Sequence, residues 1–391
     1  MKEAWNKAAI NDVALVGDGA HASIKRVDKG VLYLTSKNFD LNGLKLSKVD
    51  YISLEDYLKY FKEDSKALTK PKKGDILLSI IGSMGAAYLV NDDDNFGLSS
   101  SVSILRPNTN IVPLFLYYWI KGQYFQESIK GIKSGVAQSF LSLAMIRSLP
   151  CIIPPLATQQ KIADILSAYD DLIENNEKRI ELLEEQAQLI YEEWFMRMKF
   201  PNHEDTSIDK ETGLPEGWSK KYLTDVLNFK TGKLDSNAHV EDGAYDFYTC
   251  AKEVYKTSTY CFEGEAVLLG GNNATGNFAL FYVNDKFDAY QRTYIVTSQD
   301  ESLALSYVFF CIENLLPYFQ NVSSGASTKF LTMKIFDKTK IVIPDPKVLK
   351  KYGDLAKPCF DSIIVYKKKN QLLKEARDIL LPRLMMGMIE V

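Results

Sequence analysis

Three histidines, His21, His203 and His239, are all this chain offers for imidazole chemistry. Acid–base catalysis near neutral pH most often uses a histidine held by a second group, so candidates are few. The sequence has no G-x-x-x-x-G-K-[ST] phosphate loop, no H-E-x-x-H metal pair and no Asn/Asp-Pro-Pro-aromatic tetrapeptide for methyl transfer to an amino group. Cys151, Cys250, Cys261, Cys311 and Cys359 are scattered without a C-x-x-C pair, which points to reduced, mostly buried thiols. Gly17-Asp18-Gly19-Ala20-His21-Ala22, with Asp40 downstream, fits G-x-G-x-x-A. A dinucleotide site needs a helix N-terminus at that turn, and Ile24–Gly30 has no helical pattern, so a strand-to-loop turn is expected. Asn273-Ala274-Thr275 matches a glycosylation sequon, which has no meaning in a protein of the cytoplasm, where this chain is expected.

What the chain does carry is polar loops at matched positions. Ser134-Gly135-Val136-Ala137-Gln138-Ser139 and Ser324-Gly325-Ala326-Ser327-Thr328-Lys329 stand 190 residues apart. A second pair sets Ser79–Gly85, containing Ser83, against Gly270–Asn277, containing Asn272, Asn273 and Thr275. Small residues let a backbone approach closely, and amide, hydroxyl and ammonium groups suit base edges and phosphates. Ordinary turns held by Asn and Ser side chains are the alternative. Lys25, Arg26, Lys37, Lys70, Lys72, Lys73 and Arg292 are candidate phosphate partners, or else solvated surface charges.

The elements that position these loops are also written twice. At the same 190-residue offset Phe140-Leu141, Pro154, Gly74, Leu78 and Leu182-Leu183 recur as Phe330-Leu331, Pro344, Gly264, Leu268 and Leu372-Leu373. Trp5 and Asp12-Val13 recur 213 residues on as Trp218 and Asp225-Val226. A fixed offset over long stretches marks a duplication. Each copy opens with short β-branched and aromatic runs that read as strands: 31–35, 75–81 and 102–105, matched by 265–269, 279–283 and 293–297. A helix is expected at 113–124 and another at 305–314.

Each copy closes with a long helix. After Pro154-Pro155, with Thr158 as the expected N-cap, positions Ile162, Leu166, Tyr169, Ile173, Asn176, Ile180, Leu183, Ala187, Ile190 and Trp194 alternate by four and three. This is a coiled-coil seam. Adding 190 gives Tyr352, Ala356, Cys359, Ile363, Tyr366, Asn370, Leu373, Arg377, Leu380 and Leu384, with Pro358 expected to start or kink the helix. Residues 151–200 hold five basic against ten acidic groups, and 345–391 ten against six, so the two helices are natural partners within one chain. The expected fold is α+β: two similar globular domains separated by two long antiparallel coiled-coil helices, an internal duplication with pseudo-two-fold symmetry. The expected segments are 1–154, a helix over 155–200, a polar linker over 201–216, 217–344, and a second helix over 345–391.

Hydrophobic content of 46% and charge of 25% fit a globular protein, and no apolar run approaches a membrane span. Net charge is −3 overall, but residues 1–150 carry 19 basic against 15 acidic groups. Residues 201–344 carry 13 against 19, which is awkward for a nucleic-acid surface unless partners supply most phosphate contacts.

This order of parts resembles the specificity subunit of type I restriction–modification systems. Ile152-Ile153-Pro154-Pro155-Leu156 followed by Thr158-Gln159-Gln160-Lys161-Ile162 is similar to that family's central spacer. Gly74-Asp75-Ile76-Leu77 and Trp5 with Asp12-Val13 look like its recurrent words. The second spacer, Pro344-Asp345-Pro346-Lys347, lacks the double proline and the glutamines. The resemblance implies a non-catalytic reader of double-stranded DNA with a bipartite, asymmetric target. Its implied partners are two methyltransferase subunits and restriction/motor subunits, which would carry S-adenosylmethionine, ATP and magnesium; no cofactor or metal is expected on this chain. A coiled-coil scaffold whose globular domains bind protein or carbohydrate is the rival reading, and an enzyme of unrecognised type a third.

Overall fold

The structure is a computed structural model that describes residues 5–41, 43–134, 140–325 and 327–391, with the backbone alone for 132–134. The chain forms two compact units. One joins Met1–Ile173 to Gln371–Val391, and the other is Glu174–Asn370. Each unit therefore includes part of each long helix. Among the described residues, no helix is long and apolar enough to cross a membrane.

In the first unit the run Ile76–Ser79, fully buried, sits inside a four-stranded antiparallel sheet. The order is Ala14–Asp18, Val102–Pro107, Ile76–Ser79, Ala87–Leu89. The second unit repeats that order with Leu227–Thr231, Thr293–Ser298, Phe262–Gly270 and Leu280–Ala289. Its last strand runs ten residues and carries Tyr245–Tyr248 and Val254–Thr257 into one six-stranded sheet. In the first unit the equivalent course breaks between Leu89 and Phe96. There Asp94 accepts from the Asn91 N–H at 2.7 Å and from the Tyr88 hydroxyl at 2.9 Å, closing a turn. The outer strands Asp50–Ile52, Val31–Leu34 and Phe96–Leu98 consequently form a separate sheet. The longer first copy also carries the helix Leu54–Tyr60, capped by Ser53.

The expected aromatic helix ends sooner, at Lys121, because Gly122 terminates it and a second helix, Gln123–Ser134, follows. Its counterpart runs further than expected, over Leu305–Val322, with Pro317 inside. Phe115, Trp119 and Phe125 are the centre of the first core, and Tyr307, Phe319 and Phe336 belong to the second. Cys151, Cys311 and Cys359 are buried free thiols, Cys250 is half-buried and Cys261 exposed.

The first long helix is Leu156–Tyr191, followed by one wider turn at Glu192–Met196. Thr158 is not its cap. The helix starts two residues earlier, and the Pro155 carbonyl accepts from the Thr158 and Gln159 N–H groups. The buried Gln159 side chain does the anchoring instead: it accepts from the Val112 N–H at 2.8 Å and donates to the Pro154 and Asn110 carbonyls. The second long helix is Pro346–Met385. Asp345 caps it, accepting from the Lys347 N–H at 2.8 Å, with proline at the first helical position, where its missing N–H costs nothing. Pro358 neither starts nor ends this helix. It lies inside, on the exposed face, where the carbonyl it leaves unbonded can be solvated.

Ile162, Leu166, Ile173, Asn176, Ile180, Ile363 and Asn370 are buried on the seam, whereas Tyr169, Leu183, Ile190, Tyr366, Leu373 and Leu380 are half-buried. In the first unit Asp170 meets Arg377. In the second, Arg179 donates to the Tyr366 hydroxyl at 2.9 Å and Lys367 pairs with Glu184 at 3.2 Å. Asn176 also donates to Asn370 at 2.8 Å. From the Asn176–Asn370 pair to the Arg179–Tyr366 pair the position rises on one helix as it falls on the other, so the pairing in the second unit is antiparallel. The polar stretch between the copies is also built: Ile208 bridges to Pro215, and Asp209 accepts from the Glu211 and Thr212 N–H groups, each at 2.8 Å.

Candidate nucleic-acid interface

The first unit presents its polar loops at the end of the strand Ile76–Ser79. Leu141 donates its N–H to the Ile80 carbonyl at 3.0 Å, and Ile81 bridges to Phe140. The Ser83 hydroxyl donates to the Ser36 carbonyl at 2.7 Å and lies 3.2 Å from Ser79. Ser101 accepts from the Ser36 N–H at 2.9 Å and touches Ser99. Lys37 is exposed beside this hydroxyl cluster, and Ile81 and Phe140 stand 45% and 43% exposed. The loop closes at Gly85 (φ +93), whose carbonyl accepts from the Gln126 side chain at 3.0 Å. A Cβ there would approach the Gln126 Oε1 to 2.6 Å.

The second unit rebuilds the arrangement with other groups. Leu331 donates to the Gly271 carbonyl at 2.8 Å, and Asn272 and Asn273 pair with Phe330 and Lys329 as short antiparallel strands. Asn273 Oδ1 accepts from the Thr275 N–H and hydroxyl, both at 2.9 Å. Gly276 (φ +78) closes this loop, and Gln320 donates to the Thr275 carbonyl at 2.9 Å. The Arg292 guanidinium lies 5.2 Å from the Phe330 ring centre, a cation–π distance. Asn272, Asn273, Thr275, Arg292 and Lys329 are thus brought together, Ser327 and Thr328 immediately precede Lys329, and the Phe330 N–H donates to the Ser324 carbonyl at 2.9 Å.

The structure separates other candidates from these loops. Ser134 ends a helix rather than starting a loop, and Gln138 and Ser139 lie outside the described residues. Arg26 is a structural staple: it lies 3.9 Å from the Tyr33 ring centre and bonds Asp50 at 3.0 Å and the Ile24 carbonyl at 2.7 Å. Lys25 is exposed next to it. Lys70 pairs with Glu63 at 2.9 Å and Lys73 with Asp92. With Lys72 they flank Asp75, at the far end of Ile76–Ser79 from Ser83, roughly 13 Å of strand away. Gly17 lies within the strand Ala14–Asp18, no helix follows Gly19, and a Cβ at Gly19 would approach the Leu98 carbonyl to 2.2 Å. These glycines serve close packing, not phosphate binding. Among the described residues, no cluster of His, Cys, Asp and Glu could hold a metal.

Sequence reading missed the two glutamine clamps and the serines 36, 99 and 101. Gln126 and Gln320 are 194 residues apart, so the 190-residue offset does not align them.

A second surface lies on the long helices. The first unit exposes Ile165, Leu372, Ile379 and Met386; the second exposes Leu355, Leu182, Leu189 and Met196. Each residue of one set stands 190 positions from its counterpart in the other. Seven-residue spacing puts Leu182 with Leu189, and Leu372 with Ile379, on one helix face outside the seam, while Met196 lies in the wider turn and Met386 just past the helix end.

A model of the type I restriction modification DNA specificity domain matches residues 2–185 and 215–375. The chain is 26% identical to the type I restriction enzyme MjaIX specificity subunit of Methanocaldococcus jannaschii, over 99% of this chain and 94% of that protein. It is 24% identical to the HindI specificity subunit of Haemophilus influenzae, over 81% of this chain and 87% of that one. A crystal structure of the type I restriction–modification S subunit from M. genitalium has a similar fold. Its TM-score is 0.65 at 19% identity, covering 98% of this chain and 96% of that one.

Proposed function

The chain belongs to the family of type I restriction–modification DNA specificity proteins, and from that premise we propose that it reads a bipartite, asymmetric target in double-stranded DNA, one half-site per unit. It is a recognition subunit and carries no catalysis of its own.

The observation that carries the bipartite reading is the loop pair built twice on one backbone plan with different chemistry. Leu141 on Ile80 and Leu331 on Gly271 are equivalent bonds. The groups they present differ: serine hydroxyls, Lys37 and exposed Ile81 and Phe140 in one unit; Asn272, Asn273, Thr275, Arg292 and Lys329 in the other. Amides and arginine suit adenine and guanine edges, while apolar groups suit the thymine methyl. Two such readers that differ in side chains select two different half-sites.

The paired helices set the unread gap. Leu156–Tyr191 has 36 residues, roughly 54 Å at 1.5 Å per residue, against about 34–36 Å for one turn of DNA. The matched apolar sets on their outer faces suit two copies of one partner, in this reading two methyltransferase subunits. Those would bring S-adenosylmethionine, and restriction/motor subunits ATP and magnesium. Partner subunits would also supply much of the phosphate contact that the acidic second half of the chain lacks.

The test is methylation mapping by single-molecule sequencing in a host expressing the methyltransferase subunits with and without this chain. The expected result is a chain-dependent modified motif of two unlike parts around a fixed unread gap. A continuous motif or a palindrome would refute the two-reader account.

A further inference from the structure

Two polar pairs interrupt the seam between the long helices. In the second unit Asn176 Nδ2 donates to Asn370 Oδ1 at 2.8 Å, both residues less than a tenth exposed. In the first unit Arg377 Nη1 donates to Asp170 Oδ1 at 2.5 Å, and the other Asp170 oxygen accepts from the Tyr118 hydroxyl at 2.7 Å. The Arg377 side chain is only 19% exposed.

The duplication provides an internal comparison. At the 190-residue offset Asp170 corresponds to Phe360, Arg377 to Ala187, Asn176 to Tyr366 and Asn370 to Ile180. Phe360, Ala187 and Ile180 are buried apolar side chains, and Tyr366 is half-buried. Each polar pair in one half of the coiled coil thus has an apolar or aromatic pair at the equivalent place in the other half.

That asymmetry decides which helices pair. Because the two long helices are copies, two chains could in principle pair like helix with like in the same antiparallel register. The first helix would then set Asn176 against Ile180 and Asp170 against Ala187 of the second copy, each twice by symmetry. The second helix would set Asn370 against Tyr366 and Arg377 against Phe360. Every polar group would keep its place in the seam and lose the partner it has across it, a desolvation cost without that return bond. The first helix region is acidic and the second basic, a weaker and salt-screened bias in the same direction.

We infer that Asp170–Arg377 and Asn176–Asn370 form a pairing code that commits the first long helix to the second and rejects another copy of itself. A single buried asparagine is enough to set register and partner in coiled coils, and here two pairs act together. Tyr118 adds direction: it orients Asp170 toward Arg377 from the globular part of the same unit.

The experiment uses two differently tagged full-length chains made in one cell, one carrying Asp170→Arg and the other Arg377→Asp. Within either chain like charges then face each other across the seam, while each helix finds the opposite charge in the other chain. The expected result is a mixed dimer recovered through either tag, roughly tenfold above two tagged wild-type chains, a ratio equivalent to about 1.4 kcal/mol. A chain carrying both substitutions restores the internal pair and should return to the wild-type level, although Tyr118 has lost its acceptor there too. Co-purification no greater than wild type, equal co-purification by the doubly substituted chain, or no soluble protein from the mixed culture would each overturn the code. The mixed culture gives an answer even where neither single variant folds alone.

Discussion

Gln126 donates its side-chain amide to the carbonyl of Gly85 at 3.0 Å, and to the Ile120 carbonyl at 2.7 Å, so a helix of the first unit holds the closing turn of its own loop. Gln320 does the same for the second unit through Thr275. Gln126 is half-buried and Gln320 exposed, so replacing either by Ala costs about 1 kcal/mol or less, too little to unfold a unit. Gln126→Ala is expected to relax selectivity in one half of the modified sequence and Gln320→Ala in the other. Methylome mapping of the two variants checks this, and loss in both halves from either substitution would count against separate readers.

Gln159 ties the start of the first long helix to the globular part of its unit. Gln159→Ala leaves the Val112 N–H and two carbonyls without this partner in a site from which water is excluded, at about 2–3 kcal/mol. Chemical denaturation should show that loss. Gln160→Ala, exposed one residue on, should change stability by well under ~0.5 kcal/mol.

The seam predicts a second contrast. Ile173 is 6% exposed, and Ile173→Asp would bury an unpaired charge at a cost on the order of 3–5 kcal/mol. Leu183→Asp, on a half-buried position, should cost less. Exposed Glu185→Gln should matter by well under ~1 kcal/mol. Equal thermal shifts for all three would be incompatible with the coiled coil.

Much of this architecture was legible because duplication and heptad spacing are properties of sequence alone. The presence of these strands and the seam from Ile162 to Ile190 follow from periodicity and offset, but matching the strands in order does not hold: Ile76–Ser79 is the counterpart of Phe262–Gly270, and Leu280–Ala289 that of Ala87–Leu89. The start of the first helix was misplaced because a threonine beside a proline pair looks like a cap, whereas Gln159 bonds a segment some fifty residues upstream, which local pattern does not encode. Pro358 was misjudged for the opposite reason: its penalty depends on whether it faces water, and that is set by the tertiary packing. Among the charged candidates, Arg26, Lys70 and Lys73 turned out to have acidic partners brought close by the fold. Charge on a sequence does not reveal its neighbours.

The segment between the copies gives a pH prediction. Backbone hydrogen bonds from Thr212 and Glu211 hold the Asp209 carboxyl below its ordinary value of 3.8. A depressed carboxylate contributes stability above its unfolded value, lost as pH falls through the lower folded one. A carbon-13 titration of Asp209 should therefore have its midpoint below 3.8. Asp209→Asn should remove this local acid-dependent step, and an unshifted midpoint would mean the turn is absent in solution.

The most direct measurement exchanges residues 1–150 for the equivalent domain of a related specificity subunit and maps the methylated sequence. Recognition in this account belongs to the globular parts, and distance to the helices. One half of the motif should change while the other half keeps its bases, with the gap unaltered. A change in both halves together, or in the gap alone, would contradict two independent readers on a shared ruler.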